Sequence, residues 1–522
     1  MPSTESLPPV RPDTYRWYVL IVVMIGTFMA ALDASIVNVS VPAIMSSFGA
    51  RVDEIEWVIT AYMLAYATLM PLTAWLRERM GPKTLFLSSL AVFTIGSLLC
   101  GLAPSLPILI GARVLQAFGG GAITPTGMAM VSEVFEPEER GKALGYWGLG
   151  VVVGPAIGPT IGGYLTAALG WRSIFLVNLP VGIIAILLGL RHLRPGTKAP
   201  AGSAPFDFAG FASLTVGIVS FLLGVSKGED LGWTSPFVLG CMVLTVFGFA
   251  LFFFVERNVR RGIIDLTLFG SRDFSAAMLV TFFRSVVLLG STFLLPLFLQ
   301  GPMGLGEIET GLILLPGAVV LGAMMPLSGN LYDRVGPRRP AVVGLLLLAY
   351  FLFMYRHLAA DWSVWQIIVP TLVRGVGVAL LVTPVLATAM NAVSTENAGM
   401  ASAMLTIAQQ IAGATGIALL SAVLHNRLGH HLRAYGPLPG IDPGNAGAVA
   451  KAVFTRGHGS GPSLLDGLPA HVVALVDKAM VAAFDETFVF SAVAILLAVL
   501  LAFLLPNRSI GGRKKGADAF LE

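Results

Sequence analysis

Four ionisable residues lie inside long apolar runs of the sequence. Asp33 is the acid placed deep in such a run, and Arg113, Arg284 and Arg374 are the bases. A charge near the centre of a bilayer costs about 2.5–3.5 kcal/mol even on insertion scales, so each residue requires a partner or a wet cavity. A buried carboxylate beside a guanidinium can bind and release a proton as the distance between the two groups changes.

Helical rise places Asp33 and Arg113 in the same half of the membrane. Asp33 lies 17 residues beyond Arg16, about 25 Å deep, and Arg113 lies six residues past Pro107, about 9 Å below the opposite surface. The two side chains could form a proton site or a structural ion pair that braces the first and fourth spans. Arg284 lies near the midplane, where it could bind an anionic substrate, pair with Asp33 or reach backbone carbonyls.

The composition explains why buried charge is notable here. The chain has 522 residues, of which 56% are hydrophobic and 12% are charged, whereas globular proteins have about 25% charged residues. We therefore predict an all-α polytopic membrane protein, which excludes a cytosolic enzyme, a secreted disulfide scaffold and a nucleic-acid-binding protein. Cys100 and Cys241 both lie in apolar runs, so we expect buried thiols.

Fourteen segments are long and apolar enough to span a bilayer, which takes about 20 residues. Their ranges are 17–42, 56–76, 84–103, 107–132, 143–168, 173–190, 208–225, 236–255, 275–299, 310–330, 340–356, 364–390, 400–424 and 484–505. With the N-terminus inside, 21 of the 33 Lys and Arg residues are cytoplasmic and nine are external. The positive-inside rule therefore predicts that both termini are cytoplasmic.

An internal repeat predicts the domain organisation. Met70-Pro71-Leu72-Thr73 recurs 255 residues later as Met325-Pro326-Leu327-Ser328, and the run from Arg113 to Thr124-Pro125 is echoed from Arg374 to Thr383-Pro384. We predict an N-terminal six-helix half (1–195), two inserted helices (196–262), a C-terminal six-helix half (263–508) and a cytoplasmic tail (509–522). Parallel halves of this kind are typical of secondary transporters, with the substrate site between them. Arg374, the repeat mate of Arg113, is expected to be structural.

The predicted external loop, residues 425–483, is the one sizeable segment outside the spans. The apolar spacing of its residues 464–483 predicts an amphipathic helix on the membrane surface. Five of the seven histidines lie between His425 and Phe484, but their spacing matches no standard ligand set. We expect solvated histidines and no metal site.

Small residues line the fifth span at helical spacing. They are Gly150, Gly154, Gly158 and Gly162, with Pro155, Pro159 and Gly163 beside them. A glycine face lets a neighbouring helix approach closely, and each proline removes a backbone hydrogen bond. This pattern fits a helix that bends during transport, and a static packing groove would use the same glycines.

A basic motif follows the tenth span, comprising Gly329, Asp333, Arg334, Gly336 and Arg338. We expect it to pair with helix ends and acids of its own half, as a latch on the cytoplasmic side. The same arginines also serve the positive-inside topology.

These segments together resemble the major facilitator superfamily, and within it the fourteen-helix drug:proton antiporters, most closely the EmrB-type multidrug exporters. The resemblance rests on the stretches Leu32–Pro42, Arg113–Gln116, Gly154–Gly163 and Gly329–Arg339. It implies the major facilitator fold, with two six-helix halves plus two inserted helices, in the cell (inner) membrane. It also implies proton-coupled export of drugs or amphiphilic and aromatic compounds by alternating access, with Asp33 and Arg113 in proton coupling.

Polar residues of the spans are the candidates for substrate binding. Those we select are Asn38, Gln116, Arg284 and Gln409, from a wider set that includes Tyr62, Thr124, Asn178, Gln300 and Gln410. The alternatives to a drug exporter are a dedicated exporter of one anionic metabolite, which Arg284 would favour, and a non-transporting scaffold or sensor. We find no nucleophile–base set for an enzyme, and no Walker-type ATP motif.

The expected partners follow from the same resemblance. They are a small-molecule substrate, protons and the lipid bilayer, without a cofactor or nucleic acid. In organisms with two membranes, exporters resembling this one work with a periplasmic adaptor and an outer-membrane channel.

Overall fold

The computed structural model describes residues 12–195, 206–259, 262–357, 362–455, 464–465 and 467–507. These residues are helical and contain no strand. Eleven helices are long and apolar enough to cross a membrane, and up to 13 spans result if each of two bent helix pairs counts as one. The chain is therefore a multi-pass membrane protein. The predicted tail at 509–522 lies outside the described residues.

In the N-terminal half, the described residues form nine helices. They are α1 (Pro12–Phe48), α2 (Val52–Ile55), α3 (Trp57–Leu69), α4 (Leu72–Met80), α5 (Pro82–Leu102), α6 (Leu106–Val134), α7 (Arg140–Leu169), α8 (Ser173–Leu176) and α9 (Asn178–His192). α3 and α4 meet at an angle of 57° across Met70 and Pro71. Pro71 supplies no backbone N–H, which explains why the second predicted span breaks there.

The inserted pair and the C-terminal half follow in chain order. They are α10 (Phe208–Leu231), α11 (Pro236–Asn258), α12 (Arg272–Gln300), α13 (Glu307–Val335), α14 (Arg338–Met354), α15 (Val364–Asn391), α16 (Ala398–Ala434), α17 (Ala446–Thr455) and α18 (Ala470–Ala502). α14, at the predicted span 340–356, has only 17 residues.

The packing repeats between the two halves. In the N-terminal half α1 lies against α6, α7 and α9, and in the C-terminal half α12 lies against α15, α16 and α18 in the same way. The halves meet along α7 and α13, and α16 also touches α4 and α6. The inserted helices pack on each other, and α10 contacts α3 from one half and α16 from the other.

The surface helix predicted within residues 464–483 is wrong. α16 continues to Ala434, and α18 runs without a break from Ala470 to Ala502. The apolar positions that suggested an amphipathic surface helix, Val472, Val476, Ala479, Met480 and Ala483, are buried within the protein. They form the packed side of a longer helix, and Phe454 of α17 lies 6.3 Å from Phe484 between ring centres. Residues 456–463 and 466 of the predicted loop lie outside the described residues, and its described part is largely a packed helical extension.

The two ends of the helix bundle are named by their charge and position. The basic face is the end at which α1 and α5 begin, where Arg79, Lys83, Arg338 and Arg339 lie. The opposite face is the end at which α1 and α5 finish and where α17 and the first turns of α18 lie.

Candidate functional site

Asp33 lies at the centre of a polar network inside the N-terminal half. Its side chain has no exposed surface. Oδ2 accepts a hydrogen bond from Arg113 Nη1 at 2.7 Å, and Oδ1 accepts from Gln116 Nε2 at 2.9 Å and Asn178 Nδ2 at 2.8 Å. The predicted meeting of Asp33 and Arg113 is therefore present as a buried ion pair.

Arg113 is held on several sides besides the carboxylate. It is 2% exposed, Nη1 also donates to Gln116 Oε1 at 2.7 Å, and Nε donates to the Val58 carbonyl at 3.3 Å. Its guanidinium lies 3.9 Å from the ring centre of Tyr62. Both Val58 and Tyr62 belong to α3, so Arg113 links the Asp33 network to the bent second span.

The close approach of α5 and α6 brings Ser97 of α5 into the hydrogen-bond network around Asp33. A Cβ on Gly96 would lie 2.6 Å from the Cα of Gln116, so the backbones of the two helices touch. Ser97, the next residue, accepts from Gln116 Nε2 at 3.1 Å and from Asn178 Nδ2 at 3.0 Å. Its hydroxyl donates to the Phe175 carbonyl at 2.9 Å.

This arrangement suits an ionised carboxylate. Both oxygens of Asp33 accept hydrogen bonds from N–H donors of Arg113, Gln116 and Asn178. A proton on either oxygen would point an O–H donor at these N–H donors and leave one of them without its acceptor. Removing one member of a buried ion pair costs about 3–5 kcal/mol because the other charge is left uncompensated. The pair therefore joins α1 to α6 through a contact that is costly to break.

The glycine face of α7 packs against α1 beside this network. A Cβ on Gly154 would lie 2.7 Å from the backbone nitrogen of Leu32, and one on Gly158 would lie 2.7 Å from Ser35 Oγ. A Cβ on Gly150 would lie 2.9 Å from the Met24 carbonyl oxygen of α1, and one on Gly162 would lie 2.8 Å from Ile36 Cγ1 of α1. Because α1 residues on both sides of Asp33 touch α7, a movement of α7 would displace the part of α1 that carries Asp33.

α7 bends by 41° between its segments Arg140–Pro155 and Ile157–Leu169. Pro159 has no N–H to donate to the carbonyl four residues earlier, which is that of Pro155. Ser35 Oγ donates to this free carbonyl at 3.1 Å, so α1 compensates for the lost bond. A Cβ on Gly163 would meet its nearest neighbours only at 3.9 Å, an ordinary contact.

Asp333 binds the opposite half, which corrects the expectation that it pairs within its own. Its two carboxylate oxygens accept from the backbone N–H groups of Gly141 at 3.2 Å and Lys142 at 3.1 Å. These residues form the first turn of α7, where free N–H groups and the helix dipole favour a carboxylate. A Cβ on Gly329 would lie 2.1 Å from the Gly141 carbonyl oxygen, so only glycine fits this crossing.

The rest of this motif shapes the loop. Gly336 has a φ of 81°, which disfavours side chains, and it ends α13. Arg338 Nε donates to the Leu505 carbonyl at 2.8 Å within its own half. Arg334 is exposed. The motif therefore combines one contact across the halves with contacts that fix the loop itself.

Further hydrogen bonds between the halves lie on the same side of the molecule, and the sequence alone gave no signal for them. Arg140 Nη1 donates to Asn391 Oδ1 at 2.8 Å, and Asn391 Nδ2 donates to the Pro137 carbonyl at 3.3 Å. Ser402 Oγ donates to the Pro125 carbonyl at 2.8 Å. In the part of the chain that the structure describes, these contacts close the basic face.

The four substrate-binding candidates do not form one cluster. Asn38 is exposed on α1 and Gln409 is partly buried on α16. Gln116 is fully buried and occupied within the Asp33 network. Arg284 is 4% exposed on α12, and among the described residues it has no hydrogen-bond or ion-pair partner. The suggested pairing of Arg284 with Asp33 is wrong, because Asp33 binds Arg113.

The described histidines lie apart from one another, except for the neighbours His430 and His431. Within the described ranges, no group of three or more His, Cys, Asp or Glu side chains could hold a metal ion. His431 Nε2 lies 3.2 Å from Glu486 Oε1, linking α16 to α18.

Comparison with known proteins gives consistent matches. The Major Facilitator Superfamily model matches residues 23–417. The chain is 36% identical over 408 residues to the multidrug resistance protein Stp of Mycobacterium tuberculosis, covering 78% of this chain and 75% of that one. It is 32% identical over 412 residues to the multidrug transporter protein MdtP of Bacillus subtilis, with coverage of 78% and 75%.

The fold also matches a solved transporter. The crystal structure of the human organic anion transporter MFSD10 aligns with a TM-score of 0.59 and 14% identity, covering 95% of this chain and all of that one. At this identity the match shows the fold alone. Helical architecture, family model and relatives agree, and the chain belongs to the major facilitator superfamily, as a membrane transporter rather than an enzyme.

Proposed function

We propose that this transporter is a proton-coupled exporter of drugs and other amphiphilic or aromatic compounds that works by alternating access. The multidrug transporters among its relatives support a drug exporter. The observation that carries proton coupling is the fully buried Asp33–Arg113 pair. We assign Asp33 as the proton carrier and Arg113 as the partner whose position sets when the carboxylate can be protonated.

The contacts of α7 connect the closed basic face mechanically to the Asp33–Arg113 pair. Its first turn is bound by Asp333 of the opposite half, and its middle touches α1 at Leu32 and Ser35. Release of the first turn would let α7 move, and α1 would move relative to Arg113. Asp33 would then lose its counter-ion and become available to water and protons.

The orientation that we propose places the basic face and both termini in the cytoplasm of the cell (inner) membrane, following the positive-inside rule. The described conformation is then closed toward the cytoplasm. Protons would enter at the opposite face and leave to the cytoplasm as substrate moves outward. α17 and the first turns of α18 would lie on the external side, where a periplasmic adaptor and outer-membrane channel could dock.

The test is proton flux in proteoliposomes loaded with wild-type protein or Asp33→Asn. Asparagine can still accept hydrogen bonds from Gln116 or Asn178 but cannot carry a proton. We expect Asp33→Asn to abolish proton-driven uphill transport while it retains downhill exchange of substrate. Glu136→Gln, which removes an exposed acid on the basic face, is the matched control and should behave as wild type.

Two outcomes would contradict the proposal. Uphill transport by Asp33→Asn at the wild-type rate would leave the pair as a structural brace. Absence of flux for every compound tested with the wild-type protein would favour a scaffold or sensor.

A further inference from the structure

The C-terminal half contains a counterpart of the Asp33–Arg113 pair in which the acid is missing. Arg374 Nη2 donates to Thr292 Oγ1, which joins α15 to α12. These helices are the fourth and first spans of their half, as α6 and α1 are in the N-terminal half. The hydroxyl of Thr292 therefore occupies the role that the carboxylate of Asp33 has in the other half.

An aromatic ring accompanies both arginines. The guanidinium of Arg374 lies 5.9 Å from the ring centre of Phe351 on α14, and that of Arg113 lies 3.9 Å from Tyr62. Thr292 also donates its own proton to the Leu288 carbonyl at 2.6 Å. The two rings come from different spans, since Tyr62 lies on the second span of its half and Phe351 on the third span of its own. The repeat has thus kept the cation and has a neutral acceptor where the N-terminal half has the counter-ion.

A second cation lies on α12, the helix that carries Thr292. Arg284 is 4% exposed, and its Nε is buried without a hydrogen-bond partner among the described residues. It precedes Thr292 by eight positions, which is about 12 Å along α12 toward the basic face. In the described residues no carboxylate lies within ion-pair distance of Arg284 or Arg374.

This charge distribution differs between the halves. Deep within the spans of the N-terminal half, the buried Arg113 is paired with Asp33, so the two charges cancel. The C-terminal half holds two arginines within its spans, and its described acids on α12, α13 and α18 lie near helix ends or in the outer half of α18. Uncompensated charge in a membrane is costly, so these guanidinium groups favour an anion that arrives from outside the chain.

The pair of Arg374 and Thr292 is also reachable. Thr292 is exposed, Leu289 one turn before it is 38% exposed, and Arg374 is partly exposed. α15 contacts α7 of the opposite half as well as α12. The edge between α12 and α15 is therefore open to a molecule from outside the chain.

We infer that the C-terminal half binds the acidic group of an amphiphilic substrate. Arg374 and Thr292 make the first contact with the carboxylate or sulfonate, and Arg284 provides a second cation deeper in the protein. A guanidinium suits this role because it can donate two parallel hydrogen bonds to such a group. The inference rests on the proposed exporter function and specifies its substrate class as acidic amphiphiles.

The test compares three compounds of nearly equal shape, namely phenylbutyrate, its neutral amide and the corresponding amine. Transport is measured in proteoliposomes, and equilibrium binding is measured in detergent without a proton gradient. The variants are Arg374→Gln, Arg374→Lys and Arg284→Gln. Arg427→Gln, which removes a surface charge paired with Glu486 on the opposite face, is the matched control.

We expect Arg374→Gln to weaken binding and transport of phenylbutyrate about 10-fold to 100-fold, the value of one or two hydrogen bonds to a charged group. The neutral amide should change less than about two-fold, within the precision of such comparisons. The amine, which is a cation at neutral pH, should bind no more weakly, because a like charge has been removed. Arg374→Lys should restore only part of the loss, because it retains the positive charge but cannot donate two parallel hydrogen bonds. Arg284→Gln should reduce transport of the acid selectively, and Arg427→Gln should leave all three compounds unchanged.

Equal losses for the acid, the amide and the amine would overturn the inference, since they would indicate a structural role. The same applies if wild-type protein binds the acid no better than the amide. Failure of proton coupling is a separate result, because it would abolish gradient-driven transport while the acid-selective binding in detergent persisted.

Discussion

Closure of the basic face depends on a glycine crossing that can be tested by adding one methyl group. A Cβ on Gly329 would lie 2.1 Å from the Gly141 carbonyl oxygen, whereas ordinary contacts begin at 3.4 Å. The two helices would have to separate by about 1.3 Å to accept alanine. We therefore expect Gly329→Ala to open the basic face.

The size of the effect follows from the bonds that are lost. Separation of α7 and α13 would break the two hydrogen bonds that Asp333 accepts from Gly141 and Lys142. Hydrogen bonds to charged groups contribute about 1.5–3 kcal/mol, and the lower value is suitable because Asp333 is only partly buried. The loss of about 3 kcal/mol would raise the population of the open state about 100-fold.

Cysteine labelling can measure this opening, because the native thiols Cys100 and Cys241 are both buried. Ser402→Cys places a thiol at a fully buried position whose hydroxyl contacts the opposite half. Maleimide labelling of Ser402→Cys should be slow in the parent and faster by one to two orders of magnitude when Gly329→Ala is added.

The matched control is Gly311→Ala on the same helix near the opposite face. Its Cβ would meet Thr160 Oγ1 at 3.2 Å, which a small shift can accommodate. It should leave the labelling rate of Ser402→Cys unchanged. The explanation of closure by the glycine crossing would be refuted if Gly329→Ala and Gly311→Ala gave the same rate.

Three further predictions concern other contacts. Arg140→Gln removes the bond to Asn391 and should raise labelling of Ser402→Cys about 10-fold, whereas no change would mean that this bond does not hold the face closed. Tyr62→Leu removes the ring beneath Arg113 and should shift the pH profile of transport, while Tyr62→Phe should not; equal profiles for both variants would contradict a positioning role. Gly154→Val should block transport because its side chain would collide with Leu32, and transport at the wild-type rate by a well-folded Gly154→Val would show that α1 and α7 need not stay in contact.

The sequence predicts part of this site and leaves the rest open for a physical reason. Depth along a helix follows from residue count, so the meeting of Asp33 and Arg113 could be inferred from two sequence separations. The rotation of each helix about its axis cannot be counted in this way. Gln116 was for that reason assigned to the substrate, although it lies on the side of α6 that faces Asp33.

Contacts between the halves were also beyond sequence reasoning. Asp333 was expected to bind its own half, because the motif gives the residue types but not the helix packed opposite. The error at residues 464–483 has a related cause. An apolar stripe at helical spacing indicates one buried side, and it does not distinguish burial in lipid headgroups from burial against α16.

The two ends of α7 suggest that the charge of Asp33 should affect closure of the basic face. Gly141 and Gly154 are separated by 13 residues of one helix, about 20 Å, with Asp333 bound at the first and α1 packed at the second. Asp33→Asn leaves Arg113 without its counter-ion, which destabilises the closed arrangement by a few kcal/mol. Labelling of Ser402→Cys should then rise at least about 10-fold, although Asp33 lies far from that residue. An unchanged labelling rate in a folded Asp33→Asn variant would mean that the proton site and the closed face are energetically independent, because a coupling between two sites must act in both directions.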